Sequence, residues 1–250
     1  TFNASKVKLN YVIVNETGMK RTNNEDAVFF SNPAKPWVKQ AMGSLAIVAD
    51  GMGGHAKGEK ASKLAVEIIS KEFYRKILPP EEALENACLI ANNAIAKEGL
   101  IINQSIGTTC TAIAITAKDL FLLHIGDSRA YLLKNRKLSQ LTKDHTVLSE
   151  VPDYFGNKNA VKNLLTRSLG VETAQVCPAE ITKLTEKLNK NDRIVLCSDG
   201  LYAYISDEEI EAALNEMTLH QISQHWVKQV LRKGASDNFS FIILEPNTTP

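Results

Sequence analysis

Three apolar stretches of this chain each end on an aspartate, and this pattern restricts the fold more than any other feature. They are residues 46–50, 120–127 and 193–199, ending on Asp50, Asp127 and Asp199. Each is long enough for a strand buried on both faces and too short for a helix. A fourth acid, Asp237, stands just before the apolar run 239–244. The sequence therefore predicts strands with acids at their ends.

Carboxylates gathered on one rim of a sheet repel each other and raise each other's pKa unless cations lie among them. A set of oxygen ligands selects hard cations such as Mg²⁺ or Mn²⁺ over zinc or copper. Gly51, Gly53 and Gly54 follow Asp50 and allow the backbone and a ligand to approach closely. Our working hypothesis is a metal cluster at the strand ends. For the segment around Asp50 alone, a strand followed by an ordinary turn is the simpler interpretation.

Composition narrows the class of protein. With 250 residues, 44% of them apolar, the chain has enough material for a core in one large domain or two small ones. A net charge of +1, with both signs interspersed, argues against nucleic acid or an acidic membrane surface as partner. No stretch is long and apolar enough to span a membrane, and the N-terminus lacks a secretory apolar region. The four cysteines form no CxxC pair. We therefore expect reduced thiols and a cytoplasmic location.

The order of elements predicts an α+β fold. Short strands at 9–14, 27–31, 108–117, 120–125 and 129–133 follow one another closely, which favours antiparallel meanders. Apolar residues at helical spacing predict an early pair of helices, at about 58–77 and from Pro80 onward. Capping-box spacings at Ser206 and Thr218 predict a late pair. We expect two packed, mainly antiparallel sheets flanked by helix pairs, in a single domain over residues 1–250.

Two polar segments are candidates for function. The loop 18–26 contains Arg21, Glu25 and Asp26, and it is either a solvated hairpin loop or the carrier of an arginine that clamps an oxyanion. From about 145 to 163 the periodic pattern fades, and such a segment in a compact domain is usually functional or mobile. We call residues 145–163 the flap segment.

Isolated histidines and tryptophans have simpler interpretations than chemistry. We expect His124 to be a hydrogen-bonded histidine within a sheet and His145 to hold the start of the flap segment. Trp226 fits the apolar stripe of a late helix and is predicted to be in the core. Trp37, directly after Pro36, is predicted to lie in a loop, where it is either a surface contact or, more simply, a local hydrophobic pin.

A series of short motifs, taken in chain order, resembles the metal-dependent protein phosphatase family, type 2C, and is most similar to its bacterial branch. The motifs are Arg21…Asn24-Glu25-Asp26, Asp50-Gly51-Met52-Gly53-Gly54-His55, Gly107-Thr108-Thr109, Gly126-Asp127-Ser128-Arg129-Ala130, Leu141-Thr142-Lys143-Asp144-His145, Leu165-Thr166-Arg167-Ser168-Leu169-Gly170, Ser198-Asp199-Gly200 and Ser236-Asp237-Asn238. They span nearly the whole chain. Each is weak alone, but eight in the family's order make coincidence very improbable.

The resemblance implies an α-β-β-α sandwich and hydrolysis of phosphoserine and phosphothreonine in proteins with two Mn²⁺ or Mg²⁺ ions. By resemblance, Asp50 bridges the two ions, Asp199 and Asp237 hold the first, and the Gly51 carbonyl holds the second. Asp127 joins Asp199 at a third, weaker metal position.

The same resemblance assigns Glu25 and Asp26 to contacts through metal-bound waters and Arg21 to the substrate phosphate. Arg21, Asp26 and Asp50 are thereby the predicted catalytic residues. A guanidinium offers a bidentate fork to phosphate oxygens and can place phosphorus in line with an attacking hydroxide.

Two departures from the family pattern matter. Animal members have a histidine two residues after the bridging aspartate, where it protonates the leaving alkoxide. Here that position is Met52, which cannot donate a proton, and His55 follows three residues later. Residues 147–162 also align poorly with the flap of bacterial relatives, which leaves the preferred substrate open.

Three functions follow from these observations. The first is a monomeric serine/threonine protein phosphatase that acts on phosphoproteins, among them a serine/threonine protein kinase. The second is a catalytically inactive relative that serves as a binding module. The third keeps the metal chemistry but hydrolyses small phosphoesters or phosphotyrosine. All acids expected around the metals are present, which counts against the second function.

Overall fold

The strands follow the apolar runs of the sequence in a computed structural model that describes residues 8–52, 56–151, 156–158, 161, 163–185 and 187–247. The strands are β1 (Lys8–Glu16), β2 (Asp26–Ser31), β3 (Ser44–Met52), β4 (Gly107–Thr108), β5 (Cys110–Ile115), β6 (Leu120–Ile125), β7 (Arg129–Lys134), β8 (Lys137–Gln140), β9 (Glu180–Leu184), β10 (Arg193–Cys197) and β11 (Phe239–Asn247). The helices are α1 (Pro36–Met42), α2 (Ala56–Phe73), α3 (Pro80–Ile101), α4 (Val147–Glu150), α5 (Asp199–Tyr202), α6 (Asp207–Glu216) and α7 (Leu219–Arg232).

The strands form two sheets, and within each sheet the neighbouring strands pair antiparallel. In the described part of the chain, one sheet has the order β1-β11-β10-β7-β8. The other has the order β2-β3-β5-β6-β9, with β4 added beside β3. The fold class predicted from the sequence, α+β with two mainly antiparallel sheets, is confirmed.

Three layers of apolar side chains hold the sandwich together. One lies between α2, α3 and the sheet that contains β3, and includes Ile47, Ile69 and Leu84. The middle layer lies between the two sheets and includes Val48 and Ile194. The third lies between the β10 sheet and the helices α6 and α7. Because β3 is covered on both faces, its sequence is a continuous apolar run rather than an alternating one.

The late pair of helices begins where its capping boxes indicate. Both capping boxes form: Ser206 accepts from the N–H of Glu209, and Thr218 accepts from that of Gln221. The predicted core residue Trp226 is fully buried on α7 and makes an edge-to-face contact with Phe241. Such contacts add about 0.5–1.5 kcal/mol beyond burial.

Four sequence-based boundaries or placements were wrong. Helix α2 ends at Phe73, four positions before the predicted end at 77. Strand β3 continues through Asp50 to Met52, because Gly51 and Met52 pair with β4. Trp37 lies on α1 rather than in a loop, and with 59% of its surface exposed it is not a hydrophobic pin. Pro36 begins this helix, since proline suits the first helical turn.

The flap segment contains the short helix α4, capped by Thr146, which accepts from the N–H of Ser149. Part of the flap segment, and Gly53, Gly54 and His55 after β3, lie outside the described residues. Cys88, Cys110 and Cys197 are buried and Cys177 is partly buried, and all four are free thiols. Among the helices in the described residues, none combines the length and apolar character that a membrane span requires.

Candidate active site

The strand register brings the acids to one end of both sheets. Across the β7–β10 pair, Arg129 lies opposite Cys197. Asp127, two residues before Arg129, and Asp199, two residues after Cys197, are therefore at the same end. Strand β11 pairs Phe241 with Cys197, so Asp237, which precedes β11, is also there. In the other sheet, Asp26 and Asp50 are cross-strand partners at that end.

These residues surround a single pocket with a volume of about 310 Å³. Its lining among the described residues is Arg21, Glu25, Asp50, Gly51, Met52, Thr109, Asn163, Leu165, Asp127, Asp199, Asp237 and Asn238. Every residue predicted for the metals is thus beside the pocket. Asp26 lies behind the lining, almost fully buried.

Burial and mutual repulsion make this an unfavourable place for unneutralised carboxylates. Burial raises the pKa of Asp50 well above its usual range, and the charge of Asp26 adds to the effect. Burial likewise raises the pKa of Asp26 and of Asp127 to about 7, with Asp199 contributing to both. The pKa of Asp199 is raised to about 6, chiefly by burial and then by Asp237. The pocket therefore favours a cation.

Within the described part of the chain, Arg21 neutralises Asp237. Its Nη2 donates to Asp237 Oδ2 over 2.7 Å, with 49% and 38% of the two side chains exposed. This hydrogen bond raises the pKa of Arg21. Because both groups face solvent, the pair is held weakly and either partner can exchange for another ion.

The donor set suits a hard divalent ion. It consists of carboxylates and the Gly51 carbonyl, all of them oxygen, and Asp26 Oδ1 is buried without a hydrogen-bond partner. As placed, no three acidic, histidine or cysteine side chains of the described residues converge on one point at liganding distance. Asp237 is turned toward Arg21, while the Asp199 side chain lies close enough to that of Asp50 to be influenced by it. The residues fit the ion by chemistry and by location.

Several polar residues that sequence reasoning gave no role hold the acids in place. Thr109 Oγ1 accepts from the Asp50 N–H at 2.9 Å, and Ser198 Oγ donates to Asp26 Oδ2 at 2.7 Å. Asn238 Oδ1 accepts from the Glu25 N–H at 2.9 Å. Each belongs to one of the short motifs quoted above. Ser198 and Asn238 also stand next to a predicted acid, which is the signal that would have found them, whereas Thr109 does not.

Asp127 is held from behind by its own neighbours. Tyr202 donates its hydroxyl hydrogen to the Asp127 carbonyl at 3.0 Å. Gly126 has φ +104°, a left-handed conformation, and a Cβ there would meet Thr109 at 2.5 Å. The Gly126 N–H donates to His145 Nδ1 at 3.1 Å, so His145 does anchor the start of the flap segment.

His124 has the structural role that its sequence indicates. Its ring nitrogens contact the Thr111 hydroxyl at 2.9 Å and the Lys143 carbonyl at 3.0 Å. Burial lowers the pKa of His124 to about 4, so the ring is neutral at pH 7. Among the described residues no histidine lines the acidic pocket, and His55 lies outside them. Met52 lines the pocket at the position where animal relatives carry histidine.

An α-β-β-α sandwich with carboxylates gathered at one end of both sheets defines a metal-binding class of protein. Residues 19–234 match the family described as protein phosphatase 2C. The chain belongs to this family, whose members depend on Mn²⁺ or Mg²⁺.

Relatives and solved structures agree with this assignment. The serine/threonine protein phosphatase PstP of Mycobacterium tuberculosis is 32% identical over 95% of this chain, which spans only 45% of the length of that relative. The serine/threonine phosphatase Stp of Listeria monocytogenes is 30% identical, with 94% of each chain covered. The crystal structure of the PstP catalytic domain in complex with two manganese ions superposes with a TM-score of 0.79, at 32% identity over 95% of this chain and 97% of that one.

Proposed function

We propose that this chain is a metal-dependent serine/threonine protein phosphatase that hydrolyses phosphoserine and phosphothreonine in proteins. The observation that carries the proposal is the pocket itself, in which acids from both sheets face one another beside a solvent-exposed arginine. When bound, two Mn²⁺ or Mg²⁺ ions supply an acidified water and neutralise charge on the phosphoryl group. No serine or cysteine nucleophile is then required.

The acids divide into direct ligands and supporting groups in this proposal. Asp50 would hold both ions. Asp199 and Asp237 would hold one ion, and the Gly51 carbonyl oxygen would contribute to the other. A Cβ on Gly51 would lie 2.1 Å from the Gly58 carbonyl oxygen, so any residue other than glycine at this position would clash with the backbone of α2. This close approach supports a role for the backbone at that position.

The remaining acids act at the edge of the cluster. Asp127 and Asp199 together would hold a third ion, since burial and then the charge of Asp199 raise the pKa of Asp127 to about 7. Glu25 lines the pocket, whereas Asp26 is buried behind it and is proposed to orient water rather than touch substrate.

Arg21 binds the substrate phosphate in this proposal. Its guanidinium would exchange Asp237 for two phosphate oxygens, and the bidentate contact would orient phosphorus for in-line attack. The leaving oxygen takes its proton from water, because Met52 offers none.

Hydrolysis of a phosphothreonine peptide with Mn²⁺ and with a chelator tests the proposal. We expect turnover only with Mn²⁺, and its loss in Asp50→Asn and in Asp199→Asn. Asp119→Asn is the matched control, because Asp119 lies in the β5–β6 turn at the opposite end of the sheet, paired with Lys183. Equal activity in all three variants would exclude the proposed cluster.

The same assay separates the two alternatives. A binding module would turn over neither the peptide nor an aryl phosphate with any metal. A phosphatase of small phosphoesters or phosphotyrosine would hydrolyse the aryl phosphate or a phosphotyrosine peptide faster than the phosphothreonine peptide. The complete set of acids in the pocket favours an active enzyme.

The biological setting extends this proposal. We infer that the substrates include a serine/threonine protein kinase and that the chain acts as a monomer in the cytoplasm. All residues of the proposed site come from one chain, and the four cysteines are free thiols, which suits a reducing compartment. Sedimentation of the purified protein, and its activity on an autophosphorylated kinase, test these points.

A further inference from the structure

A second hollow adjoins the acidic pocket and shares two of its walls. It has a volume of about 420 Å³, within the range of about 300–1,000 Å³ common for ligand sites. Met52 and Leu165 line both cavities. We call this second cavity the flanking hollow. Met52 and Leu165 therefore lie between a group bound in the acidic pocket and a group in the flanking hollow.

The flanking hollow has an apolar part. Besides the two shared side chains, Ile125, Val171, Ala174 and Pro178 form it, and the other lining residues are polar: Asn92, Thr166, Arg167, Ser168 and Glu172. Val171 has 61% of its surface exposed, so its side chain is accessible to a ligand. Apolar walls beside a strongly acidic pocket indicate a site for a hydrophobic side chain rather than for a second ion.

The segment that forms the outer wall is pinned to α3 by two asparagines. Asn92 accepts from the Gly170 N–H and donates to the Glu172 carbonyl, both at 2.9 Å. Asn93 accepts from the Ala174 N–H at 2.8 Å and donates to the Ala174 carbonyl at 2.9 Å. The wall is therefore formed before any ligand binds, which lowers the entropic cost of binding.

The inner wall is fixed as well. The Leu165 backbone forms a bridge with Thr146, and Leu169 forms one with Thr108 beside β4. Arg167, which lines the hollow, pairs with Glu150 at 3.1 Å and with Glu180 at 2.8 Å. Glu172 also lines the hollow, so acids outnumber Arg167 there and an anionic group is not favoured.

From this geometry we infer that the flanking hollow binds an apolar side chain of the phosphoprotein substrate, a few residues from the phosphorylated serine or threonine. The inference rests on the proposed phosphatase function. The occupant follows from the position of the hollow beside the acidic pocket. A polypeptide whose phosphate is bound by Arg21 leaves the pocket across its rim. On the side of the hollow, Met52 and Leu165 form this rim. A small phosphoester has nothing to place there.

Kinetics on a set of peptides test the inference. In a phosphothreonine peptide flanked by alanines, each flanking alanine is replaced in turn by leucine. We expect leucine at one position to raise kcat/KM about tenfold, the effect of burying part of a leucine side chain, and leucine at distant positions to do nothing. Equal kcat/KM for all peptides would overturn the inference while leaving the phosphatase function intact.

Variants link the preference to the hollow. Val171→Asp places a charge on its wall, and the tenfold preference for leucine should disappear. The matched control is Val176→Asp, because Val176 is a valine of the same segment, 73% exposed, that does not line the hollow. Ala174→Leu, which fills the cavity without adding charge, should also abolish the preference. Retention of the preference in both hollow variants would place the leucine elsewhere.

Inactivity would be informative in a different way. If the wild-type protein hydrolyses neither peptide nor aryl phosphate with Mn²⁺, the phosphatase function fails. Fluorescence anisotropy of the labelled leucine and alanine peptides then tests the hollow by itself. We expect about tenfold tighter binding of the leucine peptide to wild type and no difference in Val171→Asp; equal affinity for wild type would overturn the inference.

Discussion

Two arginine–aspartate pairs near the same sheet end show how environment changes what one chemical contact does. Arg21 meets Asp237 through a single 2.7 Å contact, in side chains that are 49% and 38% exposed. Arg129 meets Asp144 at the same 2.7 Å, but these side chains are only 22% and 17% exposed. We refer to them as the outer pair and the inner pair.

Arg129 of the inner pair makes several contacts besides the one with Asp144 Oδ2. Arg129 Nε also donates to Asp144 at 2.9 Å, and Nη1 donates to the Tyr131 hydroxyl at 3.1 Å. The Tyr202 ring lies 3.7 Å from the centre of the guanidinium, in a cation–π contact. The inner pair is therefore a structural clamp, whereas the outer pair is exchangeable and suited to a ligand.

The largest expected effect comes from breaking the inner pair. Asp144→Ala leaves the half-buried Arg129 guanidinium without its carboxylate, and we expect a loss of about 4 kcal/mol in the free energy of unfolding. For a chain of this size, that lowers Tm by roughly 8–16 °C. Calorimetry measures it. Arg21→Ala is the control from the outer pair and should cost less than about 1 kcal/mol. Similar losses in both variants would contradict the distinction.

Removing one acid beside the outer pair should stabilise the metal-free protein. The pKa of Asp199, raised to about 6 in the fold by burial and then Asp237, lies above the unfolded value of about 3.8. Between about pH 4 and pH 6 the folded state binds more protons, so its stability falls as pH rises. Asp199→Asn removes this penalty, and at pH 7 with chelator it should be more stable than wild type by about 3 kcal/mol.

Urea unfolding at pH 4 and at pH 7 checks this expectation. The two proteins should be nearly equally stable at pH 4. His124, whose pKa is lowered to about 4 mainly by burial, makes stability rise with pH instead. This contribution is the same in both proteins and cancels when their free energies of unfolding are subtracted. Added Mn²⁺ should reverse the order at pH 7, because it binds the complete acid set of the wild type more tightly. A difference independent of pH would show that Asp199 is not under electrostatic stress.

Arg21 should matter for turnover rather than for stability. Arg21→Ala removes a charge-assisted contact to phosphate, and we expect kcat/KM for the phosphothreonine peptide to fall about 30-fold, equivalent to about 2 kcal/mol. Arg75→Ala is the control, since Arg75 is a surface arginine paired with Glu72 at 3.0 Å. Mn²⁺ affinity should hardly change. Unchanged kinetics would remove the phosphate-binding assignment.

The smallest effect concerns the link between the inner pair and Asp127. Tyr202→Phe keeps the ring over Arg129 but removes the hydrogen bond to the Asp127 carbonyl, and should cost about 1 kcal/mol in urea unfolding. Tyr204→Phe is the comparison, because that hydroxyl bonds to the exposed Ser236 and its loss should cost less. A larger cost for Tyr204→Phe would mean that Asp127 is held by other contacts.

Local pattern predicted much of the fold because its signals act over a few residues. Helix spacing, capping boxes and apolar runs each require only neighbouring side chains, so α6, α7 and β6 were located closely. Helix α1 was missed because Pro36 reads equally as a loop residue and as the first residue of a helix. The extension of β3 to Met52 depends on β4, more than fifty positions away in the chain, and no local signal reports it.

The acids were predicted as a group from strand ends and from the motifs, and the structure places them around one pocket. Their ligand roles stay predictions, since side-chain chemistry names candidates without showing what they bind. Thr109, Ser198 and Asn238, which hold the acids, received no role because their partners are distant in sequence.

The sequence by itself determined that this chain has acid-tipped strands, two pairs of helices and the motif order of protein phosphatase 2C. These are properties of residue type and short spacing. Only the tertiary structure decided that one aspartate–arginine pair is exposed and the other enclosed, and that an apolar hollow adjoins the acidic pocket. Exposure and adjacency depend on which distant strands pair and in which register. They decide the role of each pair because the same side chain has a different free energy in water and in a packed interior.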